Sequence, residues 1–176
     1  MPVSLKTPTL RHEQAFLAAV IRSRRLHRSW VTAPSSAAEY RIYLKEGKGP
    51  RHARHFVCDE AGEICGVINI SEIVRGSFQS AFLGYYALHP HAGKGVMSAG
   101  LELVLARAFG ELALHRLEAN IQPRNAPSIS LVRRAGFRYE GLSSKYLRIA
   151  GRWRDHERWA ITLEDRRLAQ RKKPRL

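Results

Sequence analysis

Apolar residues recur along this 176-residue chain with two spacings, one typical of helices and one of strands. Small and apolar side chains form one stripe over residues 12–23, which predicts a helix. The stripe consists of Phe16, Ala19, Val20 and Ser23. Ser36 and Glu39 have the spacing of a capping box, so a second helix is predicted from Ser36 to about Gly47–Gly49. Two β-rich runs around the turn DEAG then predict a hairpin over residues 55–73.

The second half of the chain alternates strand and helix patterns. A strand is predicted over residues 77–90, where a proline ends it, and a helix over residues 96–109. The side chains expected to face inward from that helix are Met97, Leu101, Val104, Leu105 and Ala108. A strand over residues 115–123, a short helix between an Asn125 cap and Gly136, and two final strands complete the order β-α-α-β-β-β-α-β-α-β-β. This order is neither a repeat nor a βαβ series, so a single mixed α/β domain is predicted.

Charge bears on the partners of the protein more than on its fold. The formal net charge is +15, and a hydrophobic content of 44% is typical of one globular domain at this length. Such a charge favours polyanionic partners, namely RNA, ribosomes or phosphorylated cofactors. Residues 166–176 carry six cations and no acid, so we expect a domain over residues 1–165 and a basic C-terminal tail. That tail is either a solvated, mobile segment or an anchor that contacts RNA.

The cysteine content and the N-terminal sequence bear on the cellular location of the protein. Cys58 and Cys65 are the only cysteines, so no disulfide scaffold is predicted, and Cys58 is expected to be buried in a strand. The N-terminal residues lack the apolar segment of a signal peptide, and no apolar run approaches membrane-spanning length. We therefore expect a soluble, cytoplasmic protein that does not contact a membrane.

The stretch HPHAGKGVM, residues 89–97, combines two glycines and a lysine at the start of a predicted helix. Exposed amides at a helix N-terminus bind anions, and flanking glycines let a phosphate approach closely. Lys94 adds a positive charge. From these residues alone, a phosphate-binding loop and an ordinary glycine-rich turn remain equally open.

Common nucleotide motifs and a metal site fit this stretch poorly. In a Walker A loop a hydroxyl would be needed where Val96 stands, and in a dinucleotide fingerprint a glycine would be needed where Ser98 stands. His89 and His91 flank a proline, with no cysteine or carboxylate close in sequence. We therefore expect no metal here.

Several segments together resemble the GNAT family of acetyl-CoA-dependent N-acetyltransferases. The resemblance rests on the strand–AGKGVM–helix unit and on NAPSISLVRRAGFRYEG. The segment YLRIAGRWRDHERWAI is similar to the subgroup of ribosomal-protein alanine N-acetyltransferases, especially those acting on protein S5. These segments cover residues 77–161, and RLHRSWVTAP resembles the acceptor-side segment of the same subgroup.

The resemblance implies an α/β (α+β) GNAT fold, in which a mixed, mostly antiparallel twisted sheet is flanked by about four helices. Splayed central strands would form a cleft for acetyl-CoA. The family writes its pyrophosphate loop Q/R-x-x-G-x-G/A, so Ala92 replaces a polar side chain, Gly95 matches the central glycine and Met97 takes the last position. The residues implied in coenzyme A binding are Ala87, Leu88, His89, Ala92, Gly93, Lys94, Gly95, Val96, Met97, Asn125 and Ser128.

Two catalytic residues follow from the same resemblance. Ser128 would lie near the sulfur and protonate the departing thiolate, although Ser128 and Asn125 are also explained as first-turn and capping residues of a helix. Glu118 would be the base or a relay to water, or else a structural, ion-paired residue. A weak base suffices for an N-terminal amine, because its pKa of about 8 leaves roughly a tenth neutral at pH 7, whereas a lysine is almost fully charged.

The acceptor and its binding residues are implied less directly. The candidates are Trp30, Asn120, Tyr146, Trp153 and Asp155, and core packing is the alternative role of the tryptophans. The predicted activity is transfer of an acetyl group to the N-terminal α-amine of a ribosomal protein, by direct attack in a ternary complex. The alternatives are a small-amine acetyltransferase, for an antibiotic or a polyamine, and a non-catalytic basic module that binds RNA or the ribosome. The protein is expected to be a monomer or a homodimer.

Overall fold

The structure, a computed structural model, describes residues 2–28 and 30–171. The strands are β1 (Ser4–Lys6), β2 (Ala53–Cys58), β3 (Ile64–Val74), β4 (Ser80–Ala87), β5 (Arg116–Ile121), β6 (Arg138–Ile149) and β7 (Arg152–Thr162). The helices are α1 (Glu13–Arg22), α2 (Arg24–His27), α3 (Ala37–Glu46), α4 (Val96–Phe109), α5 (Ala126–Arg134) and α6 (Leu163–Arg171), and a 3-10 turn at Leu10–His12 precedes α1. The predicted hairpin over residues 55–73 is confirmed as β2 and β3.

All seven strands form one sheet in the order β1-β2-β3-β4-β5-β7-β6. Every neighbouring pair is antiparallel except β4 and β5, which run parallel. That parallel pairing joins residues 80–82 to residues 116–118 and goes no further. Beyond these residues the two strands separate, so a gap opens at the carboxyl ends of β4 and β5. The predicted mixed, mostly antiparallel sheet with splayed central strands is confirmed.

Alternating side chains bury both faces of the sheet, as the two-residue period of a strand requires. On one face, Val57, Ile68 and Leu117 pack with residues of α4. On the other face, Phe56 and Val67 pack with residues of α1 and α3. Helix α4 lies very close to β2, because a Cβ at Gly100 would come within 2.6 Å of a Val57 methyl group. The gap between β4 and β5 is therefore flanked by a helical layer on each side.

The predicted helix ends agree with local hydrogen bonds. Ser36 Oγ accepts from the Glu39 amide at 3.2 Å, while the Glu39 carboxylate accepts from the Ser36 amide, which completes the capping box. Asn125 Oδ1 caps α5 by accepting from the Ser128 amide at 3.3 Å. Gly136, just past the end of α5, takes a φ of +92°. These caps fix where both helices start, as expected from the sequence.

The described residues contain six helices, two more than the number expected. Helix α2 is a single turn within a basic, polar stretch, and α6 has few apolar residues, so neither presents a strong apolar stripe. Thr162 and Asp165 cap α6 through reciprocal hydrogen bonds. Helix α6 takes in residues 166–171 of the predicted basic tail, and residues 172–176 lie outside the described residues. No described helix is both long and apolar enough to cross a membrane.

Candidate functional site

The backbone of β4 turns its polar groups towards the gap at alternate residues. The Leu88 amide donates to the Cys65 carbonyl on β3 at 2.8 Å, so Leu88 directs its backbone away from the gap. Because the direction alternates along an antiparallel strand, Ala87 and Tyr85 direct their backbone groups into the gap. Of the three positions predicted to pair with a ligand here, Ala87 therefore faces the opening. Leu88 is fully buried.

Two side chains that sequence reasoning missed hold this strand end. His27 Nε2 donates to the Ala87 carbonyl at 2.9 Å, and the His27 ring meets the Tyr86 ring edge-on. Ser23 Oγ accepts from the His89 amide at 2.9 Å while donating to a carbonyl of α1. Helices α1 and α2 thus position the end of β4. The one sign of this role in the sequence is that Ser23 is a polar residue on the otherwise apolar stripe of its predicted helix.

The loop that follows β4 leads into an uncapped helix N-terminus. Gly93 and Gly95 take φ values of +79° and +81°, and no atom lies within 4 Å of a Cβ built on either. The first hydrogen bond of α4 runs from the Ala99 amide to Gly95, so the amides of residues 96–98 have no acceptor in the helix. No described side chain caps this end and no acid lies in its first turn. These amides and the exposed Lys94 form a positively polarised surface, of the kind that binds anions in proteins.

Side chains in the loop divide into packed and open ones. Val96 is buried, and Met97 is half-buried with its sulfur over Gly66 of β3, so these two residues offer only their backbone amides to a ligand. Ser98 adds a third amide, which the sequence motif did not include. Ala92 is half-buried and brings no hydrogen-bonding side chain to the loop. The groups in this loop that are open to a ligand are therefore the backbone amides and the Lys94 side chain.

Ser128 lies in a hydrogen-bonded pair with Tyr85. The hydroxyl oxygens of Ser128 and Tyr85 are 2.6 Å apart, which joins the first turn of α5 to β4. Burial raises the pKa of Tyr85, so its hydroxyl stays protonated at neutral pH. Sequence reasoning missed Tyr85, because contact between residues 43 positions apart leaves no local pattern.

Glu118 takes part in an ion-pair network at the start of β5. Arg116 Nε donates to Glu118 at 2.9 Å, and the same guanidinium donates to Glu140 on β6. Arg116 lowers the pKa of Glu140 through these hydrogen bonds. The arrangement provides the structural role that the sequence left open for Glu118. A role as base would require the carboxylate to turn away from Arg116.

The structure distributes the predicted acceptor residues over two faces of the sheet. Asn120 pairs with Arg158 of β7, so these residues and His156 share one face. Tyr146 belongs to this group, because its ring lies 6.4 Å from that of His156. By alternation Trp153 and Asp155 project from the opposite face.

The remaining acceptor candidates have defined surroundings. Asp155 Oδ1 accepts from the Lys145 amide at 2.8 Å and so holds a bulge in β6. Trp153 is 62% exposed near the tip of the β6–β7 hairpin. Trp30 is half-buried, and its amide donates to the His27 carbonyl at 2.8 Å. Trp30 therefore follows directly on the helix that holds the end of β4.

A cavity of about 430 Å³ opens beside the gap, between α3, residues 31–34 and the strands β3 and β4. Tyr43, whose hydroxyl donates to Asn69 at 2.9 Å, and Tyr86 lie in its wall. Burial raises the pKa of Tyr43 to about 12. In the described part of the chain, the buried Tyr86 hydroxyl has no hydrogen-bond partner. A larger cavity of about 880 Å³ lies between residues 7–11 and the far side of α3, away from the gap.

Comparisons with known proteins agree with this geometry. A family model described as an acetyltransferase (GNAT) domain matches residues 3–138. The chain is 42% identical over 102 residues to the probable N-acetyltransferase YjcK of Bacillus subtilis, a match covering 58% of this chain and 56% of that protein. It is 42% identical over 103 residues to the ribosomal protein uS5-alanine N-acetyltransferase of Escherichia coli, covering 58% of this chain and 53% of that protein. The chain thus matches about half the length of these curated relatives.

A solved structure extends the similarity over nearly the whole chain. The structure is that of Mycobacterium smegmatis RimJ in complex with CoA-disulfide. It is similar with a TM-score of 0.86 and 26% identity, covering 96% of this chain and 88% of that one.

The buried position of His27 predicts a pH-dependent stability. Burial lowers the pKa of His27 below the ordinary value of 6.5. As the pH falls, His27 therefore takes up a proton in the unfolded chain at a higher pH than in the folded protein. The free energy of unfolding should therefore decrease as the pH drops through 6.5, until the pH passes the folded-state pKa. In urea unfolding, His27→Gln should reduce the difference in stability between neutral pH and about pH 5.5. A variant that keeps the full difference would show that His27 contributes nothing to it.

Proposed function

The chain belongs to the GNAT family of acetyltransferases, and we propose that it transfers the acetyl group of acetyl-CoA to an N-terminal α-amine of a ribosomal protein. The observation that carries the proposal is the gap between β4 and β5, with the uncapped N-terminus of α4 at its mouth. The relative that acts on ribosomal protein uS5 supports the choice of acceptor. The net charge of +15 suits a substrate that is close to ribosomal RNA.

Acetyl-CoA supplies an acetyl group held as a thioester, and the residues around the gap suit its parts. The amides of residues 96–98 and Lys94 would bind the pyrophosphate. These groups would replace the contact that a polar side chain at position 92 would make, since Ala92 has none. The backbone groups of Tyr85 would pair with the pantetheine arm, while the Ala87 carbonyl is already held by His27. Asn125 already caps α5 and lines the same side of the sheet as Ser128. No metal is needed for this transfer.

The reaction is a direct attack of the neutral amine on the thioester carbonyl. A new N–C bond forms, the C–S bond breaks, and the amine loses a proton while the departing sulfur gains one. We assign the Ala87 amide to the carbonyl oxygen, where negative charge develops. Ser128 would give its proton to the sulfur while Tyr85, whose hydroxyl oxygen is 2.6 Å away, passes its own proton to Ser128. The proton that the amine releases to water would return to Tyr85, so neither hydroxyl is left charged.

The amine side of the gap contains a polar atom that still lacks a partner. Asn120 Oδ1 is buried and has no hydrogen-bond partner among the described residues. A buried acceptor of this kind costs free energy until a donor arrives, so it suits the N–H of an incoming amine. Asn120 would orient the acceptor, and water would remove its proton. Glu118 would act as a relay only after leaving Arg116.

The decisive experiment measures acetyl-CoA turnover with a panel of acceptors. Release of coenzyme A thiol and the acceptor mass would be followed with peptides that begin with alanine or serine. Controls are the same peptides with a blocked N-terminus and an internal lysine, spermidine as a small amine, and RNA binding at several salt concentrations. Acetylation should be confined to free N-termini. Turnover of spermidine alone would favour the small-amine activity, and salt-sensitive RNA binding without any thiol release would refute an enzymatic function.

The phosphate-binding role of the α4 N-terminus predicts the effect of a negative charge at Gly95. Gly95→Glu should weaken coenzyme A binding by about tenfold or more, because a carboxylate would face the pyrophosphate. Gly76→Glu is the matched control, since Gly76 also has a positive φ, +67°, and open space around it but lies in the β3–β4 turn. Calorimetry measures both affinities, and circular dichroism checks the fold. Equal affinities of the two variants for coenzyme A would show that the N-terminus of α4 does not bind the pyrophosphate.

The proton-donating role of Ser128 predicts a specific kinetic effect. Ser128→Ala should lower kcat on the order of 100-fold while leaving the Kd for coenzyme A nearly unchanged. Ser130→Ala provides the control, because this exposed serine lies in the same helix and bonds only Arg134 within the described residues. Steady-state kinetics and calorimetry separate kcat from affinity. If Ser128→Ala keeps the kcat of the control, its hydroxyl serves only to pack α5 on Tyr85.

A further inference from the structure

Three side chains of different chemistry meet where the β2–β3 hairpin touches the loop after β4. Asp59 directly follows β2, Cys65 is the second residue of β3, and His91 lies in the loop before α4. One possible ligand atom from each lies within 4.8 Å of the other two. Cys65 and His91 are buried, and Asp59 is half-buried. We expected no metal at His91 because no cysteine or carboxylate is near it in sequence, but the fold brings both to it.

Backbone hydrogen bonds hold all three residues in place. The Cys65 carbonyl accepts from Leu88, and the Leu88 carbonyl accepts from the His91 amide at 2.9 Å, so the loop is tied to β3. The Asp59 carbonyl accepts from Gly62 at 3.0 Å, and the Asp59 amide donates to Glu63. Asp59 and His91 are therefore carried on short hydrogen-bonded turns, and Cys65 on the strand β3. Such support holds ligands close to binding geometry before the ion arrives.

A fourth ligand is available at the surface. Glu63 Oε2 lies 3.3 Å from His91 Nε2, and the Glu63 side chain is 66% exposed. The Glu63 carboxylate can move from this contact to an ion bound by the other three residues, or leave that position to water. A thiol, an imidazole and carboxylates form a donor set that suits Zn²⁺, whereas Mg²⁺ and Ca²⁺ prefer oxygen ligands alone.

We propose that Asp59, Cys65 and His91 bind one Zn²⁺ ion, with Glu63 or water as the fourth ligand. Binding forms a bond from zinc to the Cys65 sulfur, whose proton passes to the solvent. The ion would join the hairpin turn to the loop that precedes the phosphate-binding end of α4.

Metal titration of the chelator-treated protein, prepared without a histidine tag, tests the proposal. Zn²⁺ should bind by calorimetry with one ion per chain, and Co²⁺ should show thiolate-to-metal charge-transfer absorption together with the visible bands of a tetrahedral site. Cys65→Ser and His91→Gln should each weaken Zn²⁺ binding by about tenfold or more. The midpoint of thermal unfolding should rise with added Zn²⁺ in the wild type.

Two matched controls distinguish this site from adventitious binding. Cys58→Ser removes the other buried thiol, and His89→Gln removes an exposed histidine two residues from His91. Both variants should keep wild-type zinc affinity. X-ray absorption of the zinc-loaded wild type should show one sulfur ligand at about 2.3 Å, and this needs no variant to fold. A zinc shell without sulfur, or equal losses in Cys58→Ser and Cys65→Ser, would overturn the site, and neither readout depends on acetyl transfer.

Discussion

The pairing between β4 and β5 stops after residues 80–82, and most other features of the structure depend on that limit. A longer parallel ladder would use the backbone groups of Tyr85 and Ala87, but the separation turns them towards an opening instead. Antiparallel pairing with β3 and β7 holds each strand on its outer side, so the gap does not unravel the sheet. Backbone groups inside a protein need partners, and those in the gap are therefore suited to a ligand that pairs along a strand.

The gap between β4 and β5 has different chemical groups on its two sides. On one side, the amides that begin α4 and the cation of Lys94 attract an anion. On the other side, Asn120 Oδ1 is buried without a hydrogen-bond partner among the described residues. Tyr86, whose hydroxyl likewise has no described partner, lies in the wall of the cavity of about 430 Å³. The ladder between β3 and β4 also places the loop containing His91 over the hairpin turn. One hydrogen-bonded register thus arranges the anion surface, the proposed amine site and the proposed zinc ligands.

Features with local causes were predictable from the sequence. The Ser36 and Asn125 caps depend only on residues three positions ahead, and both helices start where they were predicted. Helix α4 matches its predicted range because glycines flank it at both ends. Helix α6 was missed although Thr162 and Asp165 have capping spacing, since a helix with so few apolar residues shows no clear stripe. The glycine loop was recognised because its strand, turn and helix are consecutive in the chain.

The sequence by itself determined most of the elements, their order along the chain and the family resemblance, because these are encoded in spacings of a few residues. Only the tertiary structure decided which side chains meet. It joined Ser128 to Tyr85, paired Glu118 with an arginine, and set Trp153 on a different face from Asn120. It also brought a cysteine to His91. The physical reason is that such contacts depend on strand register and on the direction of each side chain, and periodicity along one strand specifies neither relative to its neighbour.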